Sequence, residues 1–449
     1  MWPWLAPVVV LAVGAAVAVP LLGGSDDDPG TEAFGPPGEG GADADGGGSW
    51  LATAERPTTD KVITAWTAGD TVVRVAESGV TAFSQADGQV VWQAAPPDGQ
   101  AFCGAGSRGV DGRAALAVGP GSVGNRIECD TATVLDLASG ELGWRQPISA
   151  PRQGDHARNG AVLEIVGDTV VIAQDQGLVG LNLADGQRRW QREVSFEGEP
   201  GCGAEDMLAT DTRVVLAQTC GRLRDQVQFA VVDPATGETA RERTFAGTDP
   251  ESGLLTPALL SADPLVGYVR GNHAAIGLVL DEEMEVVAEV ELGDGSARGG
   301  VAQGDGGFGR ALSETEHVPP PLRVIENALY AVTLPEGGAP NQLVAFDLAT
   351  GERRWAAALP DAHATQPVTV EDGAVVVATG PRSGTGELGI ARFDAATGEV
   401  LGTTGAPVVN DSGQVPAATT YRYFYQDGRM LAVRGAPGPN DPDAFGYGG

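Results

Sequence analysis

Basic side chains are scarce in this chain. Lysine and arginine number 28 against 60 aspartates and glutamates in 449 residues, and Lys61 is the single lysine. The formal net charge of −32 sets the chain against phosphate backbones and anionic lipid, so no nucleic-acid partner is expected. Histidine is nearly as rare. His156, His273, His317 and His363 stand apart, no pair has metal-ligand spacing, and all four read as solvated loop residues. There is no G-x-S-x-G elbow, and the GDGGFG run at 304–309 lacks the strand–helix setting of a phosphate loop. The Asp-Gly clusters near Asp305 and Asp411 lack a complete calcium-ligand pattern and read as turns. No catalytic, cofactor-binding or metal-binding residue is named from these patterns.

Glycine is abundant, at 66 residues, and part of it is periodic. The organising stretch is AFDLATGERRW at 345–355, a short strand, a tight turn at Thr350-Gly351 and a second strand closing on Trp355. Copies end their turns on Gly88, Gly140 and Gly186 and close on Trp92, Trp144 and Trp190. VVDPATG, ending on Gly237, and RFDAATG, ending on Gly398, keep the turn and lose the tryptophan. Successive spacings are 52, 46 and 51 from Gly88 to Gly237, and 47 from Gly351 to Gly398. The gap of 114 from Gly237 to Gly351 is two periods and hides a degenerate copy, GLVLDEEMEVV at 277–287. Periods of roughly 40–50 residues suit the four-stranded blade of a β-propeller.

Each residue type in the copy has a physical reason. Glycine takes positive φ at a hairpin turn without steric cost, and the Asp, Thr or Ser before it hydrogen-bonds local backbone. Asp347 and Asn182, four residues before their glycines, are placed to staple the turn to a neighbouring strand. The tryptophan offers a broad flat surface for burial between two blades, with one N–H to satisfy. The remaining chain reads as strand, with apolar alternation and frequent turn signals.

These residues carry a family resemblance. The run 345–355 resembles the tryptophan-docking repeat of the pyrroloquinoline quinone (PQQ) type β-propellers. That group includes the quinoprotein alcohol dehydrogenases and the propeller lipoprotein of the outer-membrane assembly machine. The resemblance covers residues 60–435 and implies an all-β propeller of four-stranded blades. It implies little about activity, because most propellers with this repeat bind no quinone. The dehydrogenases carry adjacent cysteines beside the quinone, calcium ligands and a catalytic aspartate, whereas no two cysteines are neighbours here. The expectation is a protein that is not an enzyme and holds no cofactor; a PQQ-dependent dehydrogenase is the alternative.

After the seventh copy, strands at 420–425 and 429–433 flank Asp427-Gly428, and WLATA at 50–54 can supply an outer strand. Pairing the two ends of the chain removes an exposed sheet edge. Eight blades is the preferred count, with seven plus an appended hairpin as the alternative. Residues 5–22 are uncharged and mostly apolar, and no charged side chain precedes Asp26. That length approaches the ~20 residues of a membrane span, and the basic start of a cleaved signal is missing. The reading is an apolar anchor helix at 1–23 (alternatively a cleaved signal), a disordered Gly/Asp-rich linker at 24–49, the propeller at 50–434 and a disordered tail at 435–449.

The four cysteines are Cys103, Cys129, Cys202 and Cys220. Cys103 follows Gly88 by 15 residues and Cys202 follows Gly186 by 16, so each enters the next blade at the same place. Each is followed by a second cysteine before that blade's own turn glycine. Of three connectivities, the repeat register supports Cys103–Cys129 and Cys202–Cys220. Paired cysteines place the propeller in an oxidising space, outside the cell membrane that a single N-terminal pass would hold. The expected partner is a protein or small ligand on one propeller face, with 293–321, the longest insertion between repeats, as the contact candidate. Membrane contact is expected through the N-terminal segment alone. Peptide mapping without reduction should recover both intra-blade bridges; thiols that alkylate fully in the native protein would remove the compartment argument.

Overall fold

The computed structural model describes residues 49–53, 62–97, 99–123, 126–148, 161–174, 177–193, 202–221, 225–246, 255–271, 275–293, 322–333, 341–359, 362–381, 387–406, 408, 421–435 and 442–448. The expected anchor at 1–23, nearly all of the linker at 24–49, the insertion at 294–321, and His156, His273 and His317 lie outside them. Among the described residues there is no helix, and so none long and apolar enough to cross a membrane.

Eight four-stranded antiparallel sheets follow one another as the blades of a propeller, and a two-stranded hairpin, Gly121–Val123 with Arg126–Glu128, is inserted in blade two. The innermost strands of blades one to eight are Val62–Ala68, Ala101–Ala105, Leu163–Val166, Gly203–Ala209, Thr256–Ala262, Leu322–Ile325, Ala362–Glu371 and Tyr421–Gln426. The outermost strands of blades one to seven are Val90–Ala94, Leu142–Pro147, Arg188–Glu193, Thr239–Ala246, Val286–Gly293, Arg353–Ala358 and Val400–Ala406. The degenerate copy at 277–287 forms the outer half of blade five, across Ala275–Leu280 and Val286–Gly293. The core is a series of apolar layers between successive blades, such as Val170, Ile172 and Val179 of blade three packing with Ala115 and Ala117 of blade two.

Blade eight closes the ring and corrects the sequence reading. Its order is Tyr421–Gln426, Arg429–Arg434, Ala444–Gly448 and, outermost, Trp50–Ala52 from the other end of the chain. Ala444–Gly448 falls in the tail expected to be disordered, yet Phe445 and Tyr447 are buried in the layer between blades seven and eight. Its glycines conceal it in composition. Gly446 pairs with Trp50, and a Cβ there would stand 2.5 Å from the indole Nε1. A buried ion cluster holds the same seam. Asp443 Oδ1 accepts from Arg434 Nη2 at 2.5 Å and lies 3.7 Å from Arg74 Nη2 of blade one. The Asp443 N–H donates to the Ala52 carbonyl at 2.8 Å.

Between blades the tryptophans do the joining. Each stands on the outermost strand and lies on the turn glycine of the next blade: Trp50 on Gly88, Trp92 on Gly140, Trp144 on Gly186, Trp190 on Gly237 and Trp355 on Gly398. Each indole N–H donates to the carbonyl three residues before that glycine, from Trp50 to Gln85 (2.9 Å), Trp92 to Leu137 (3.2 Å), Trp144 to Leu183 (2.8 Å), Trp190 to Pro234 (2.8 Å) and Trp355 to Ala395 (3.0 Å). The buried indole is thereby fully satisfied.

Blades four, five and seven lack the tryptophan. Blade four has Arg241 at the tryptophan position, donating to the Glu282 carbonyl, and blade five has Met284 (φ 66°) in its turn instead of glycine. Blade seven has Gly402 there, because blade eight draws its last two strands from opposite ends of the chain and has no turn to receive an indole. The turn acids also differ from expectation. Asp136, Asn182, Asp233 and Asp394 accept backbone N–H bonds within their own turns. Only Asp347 adds a link to the adjoining strand, through Arg354 at 2.7 Å.

These contacts set a stability contrast. Gly186 has φ +72°, and a Cβ there would stand 2.5 Å from the Trp144 ring, whereas nothing lies within 4 Å of a Cβ at Gly402. Gly186→Ala should destabilise by about 2–4 kcal/mol, from left-handed backbone strain plus overpacking. Gly402→Ala should be neutral or stabilise by up to ~1 kcal/mol. Urea unfolding midpoints of the two variants check this, and equal effects would refute the docking account.

Candidate functional site

Because the strands of each blade are antiparallel, successive connections alternate between the two ends of the ring. The hairpins joining first to second and third to fourth strands lie at one end, the hairpin face. Connections between second and third strands, and those between blades, lie at the other, the loop face. The strand ends that bound the longest connections, Pro147 and Leu163, Gly293 and Leu322, Ala406 and Tyr421, lie at the loop face.

The two disulfides, Cys103–Cys129 and Cys202–Cys220, are formed. Both stand at the loop face. Cys103 is in the innermost strand of blade two and Cys129 lies two residues before its third strand, which begins at Thr131. Cys202 directly precedes the innermost strand of blade four, and Cys220 ends that blade's second strand. Each bridge ties the strand that enters a blade to that blade's own second-to-third connection. The repeat residues lie elsewhere: Gly88, Gly140, Gly186, Gly237, Gly351 and Gly398 sit in turns of the hairpin face. They form the frame, while the cysteines frame the loops.

The centre of the ring holds charged groups that no repeat position announces. Glu164 interrupts the apolar innermost strand of blade three and is 2% exposed. Its Oε1 accepts from the Ser107 N–H of blade two at 2.7 Å, and its Oε2 has no hydrogen-bond donor among the described residues. Burial, opposed by the Ser107 hydrogen bonds and aided by the charge of Asp206, pushes its carboxyl up to about 8. On blade four, Asp206 accepts from the backbone N–H groups of Met207 and Leu259, both at 2.8 Å. Arg323 and Arg422 stand on the innermost strands of blades six and eight. The signal for Glu164, Arg323 and Arg422 was a lone charge in an apolar or aromatic strand, as in LEIV or YRYFYQ, whereas Asp206 stands beside Glu205 in GAEDMLA. His363 also departs from the loop reading. It lies half-buried on the innermost strand of blade seven, 3.1 Å from Asn341 Oδ1. Among the described residues, no three His, Cys, Asp or Glu side chains cluster as metal ligands.

Glu164 makes the fold sensitive to pH. Its carboxyl holds a proton in the folded state over the range from about 4.5 to about 8, where the unfolded chain has released it. The folded state therefore binds more protons, and stability falls as pH rises through that range. Glu164→Gln keeps an acceptor for Ser107 and removes the ionisation. Its unfolding temperature should exceed the parent's by a margin that widens from pH 5 to pH 8; a constant margin would refute the assignment.

Comparison with known proteins places this geometry. The family model described as outer membrane protein assembly factor BamB matches residues 43–163, 76–274 and 283–438. Among solved structures, BamB from Moraxella catarrhalis is 15% identical over 86% of this chain and 96% of its own, with a TM-score of 0.48. The quinohemoprotein alcohol dehydrogenase ADHIIG from Pseudomonas putida HK5 is 13% identical over 89% of this chain and 75% of its own, at a TM-score of 0.54. That of Comamonas testosteroni is 14% identical with the same coverages, at 0.50. At such identities the likeness to the two dehydrogenases is one of fold. No curated protein sequence matches the chain. The family-model matches cover most of the residues, and the chain belongs to the family of the outer membrane protein assembly factor BamB.

Proposed function

We propose that the protein is a non-catalytic scaffold that binds protein partners through its loop face, on the extracytoplasmic side of the cell membrane, anchored by its N-terminal segment. The observation that carries this reading is the placement of both disulfides at the loop face, one in blade two and one in blade four. A cross-link at the base of a recognition loop holds it against a rigid frame. Disulfides persist in oxidising compartments, which supports the extracytoplasmic location. The apolar, uncharged run at 5–22 supports the anchor, since its length approaches a bilayer span. Membership of a family described by an assembly factor supports protein binding over chemistry. The likeness to quinohemoprotein dehydrogenases is one of fold, and neither disulfide joins adjacent residues, the separations being 26 and 18.

Two measurements test this reading. A photo-crosslinking residue placed in living cells at Asp130 or Asp225, exposed at the loop face, should capture a common protein partner. The same residue at Asp87 or Asp185, exposed in hairpin-face turns, should not; equal capture from both faces would overturn the assignment. The purified protein incubated with PQQ and calcium should give no alcohol-dependent dye reduction, and turnover there would overturn the non-catalytic reading.

A further inference from the structure

The outermost strands of the ring divide into two arcs. Those of blades two to six each carry charge, as in RRWQRE of blade three and TARERTFA of blade four. Those of blades seven, eight and one, VLGTTGA, WLA and VVWQA, carry none. Ring closure makes these three blades consecutive, with Trp50 of blade eight lying on Gly88 of blade one. In a chain with 60 acidic and 28 basic side chains, three neighbouring edges without charge run against the composition.

The same arc holds most of the exposed apolar side chains. Six large aliphatic residues are exposed among the described ones, and five of them, Val400, Leu401, Leu51, Val90 and Val91, stand on it. Val91 and Leu401 occupy one register position, the extra residue of the bulge near the start of their outermost strands. Blades three and six place Arg189 and Arg354 at that bulge, ion-paired to Asp168 and Asp347. Charge on an edge strand guards it against pairing with other chains. The arc lacks that guard, and exposed apolar residues grouped in this way mark a contact surface.

The course of the chain indicates what covers it. Trp50 takes the place in blade eight that Trp92 takes in blade one, so Ser49 and the residues before it leave the ring at the hairpin-face end of the rim, between the Val400-Leu401 and Val90-Val91 pairs. The 26 residues at 23–48 separate that exit from the apolar run at 5–22. Tethering raises the effective concentration of the surface at the tether's far end to the order of mM, so a modest contact suffices. The make-up of the arc favours lipid over protein. Its tryptophans, Trp50 and Trp92, are already docked on the next blade, and among the described residues no exposed aromatic side chain remains to anchor a protein interface. No basic side chain stands on these three strands, and the exposed Asp87 and Glu399 flank the aliphatic pairs, so anionic headgroups are repelled and neutral ones are not.

We propose that the hairpin-face end of the rim at blades seven, eight and one rests on the bilayer that the N-terminal segment spans, its aliphatic side chains entering between neutral lipids. This rests on the anchor reading given under the proposed function and adds which surface of the propeller meets the membrane, leaving the loop face clear of lipid.

The test places the full chain in phosphatidylcholine vesicles, with one fluorophore on a cysteine introduced as Val91→Cys, Leu401→Cys or Val287→Cys. Val287 is the control, since it fills the same bulge position at matching exposure (52% against 53% for Val91 and 55% for Leu401) on blade five, across the ring. Brominated lipid should quench the probes at positions 91 and 401 by about half, as for groups seated ~5–10 Å into the headgroup–acyl boundary, and leave the probe at position 287 unchanged. Mixing in phosphatidylglycerol should weaken the quenching, and stronger quenching would overturn the preference for neutral lipid. Flotation of the vesicles reads the anchor separately. A chain that does not float refutes the anchor reading and this inference with it. A chain that floats with no quenching at positions 91 and 401, or with equal quenching at position 287, overturns this inference and leaves the anchor standing. Probes at positions 91 and 401 that are shielded from water yet untouched by brominated lipid would assign the arc to a second copy or another protein, and would overturn the lipid contact.

Discussion

An indole laid on a glycine of the next blade is the contact on which the ring depends. It joins units that are remote in sequence, as with Trp190 and the Pro234 carbonyl, 44 residues apart. It does so with one hydrogen bond and one flat apolar surface. The geometry makes two demands together: a residue without Cβ under the ring, and positive φ at that residue to turn the hairpin. Glycine meets both, which is why turn glycine and tryptophan recur as a pair.

The exceptions show that the pairing is physical and more than a repeated motif. At the junction of blades four and five an arginine replaces the indole, and the released turn accepts Met284, whose side chain is buried in the adjoining layer. At the junction of blades five and six, blade five has no tryptophan, yet Gly351 remains glycine because the Glu289 backbone fills the space a Cβ would need. Blade seven has no tryptophan because blade eight, assembled from both ends of the chain, has no third-to-fourth turn. Its closure is held by Trp50, Gly446 and the buried Asp443 cluster. A buried ion pair of this kind adds little net stability over apolar packing. Breaking it would still leave Arg74 and Arg434, both under 6% exposed, without their carboxylate.

A stiff frame separates function from stability. Turns and indoles at the hairpin face and rim hold the blades, so the loop face and the centre are free to carry recognition. The polar groups of the centre come from different blades: Glu164 with Ser107, Asp206 with Leu259, and Arg422 with Thr64. Each is accommodated by a hydrogen-bond partner from the adjoining blade.

Features that depend on neighbours along the chain can be read from the residues directly. A positive-φ glycine, a turn-capping Asp and period-2 apolar alternation act within a dozen residues, so the blade, its repeat, the count of eight and the pairing of cysteines within blades were all legible. The partner role of Trp50 was legible too, since it reuses the repeat's own residue type. Where remote pieces meet follows from the folded ring. The strand at Ala444–Gly448 is buried because Trp50 arrives from the far end of the chain to cover Gly446; its composition alone reads as tail. Arg422 meets the Thr64 hydroxyl, 358 positions away, because ring closure sets blade eight against blade one. Local pattern cannot report such proximity, because the force that creates it is the packing of whole blades against one another.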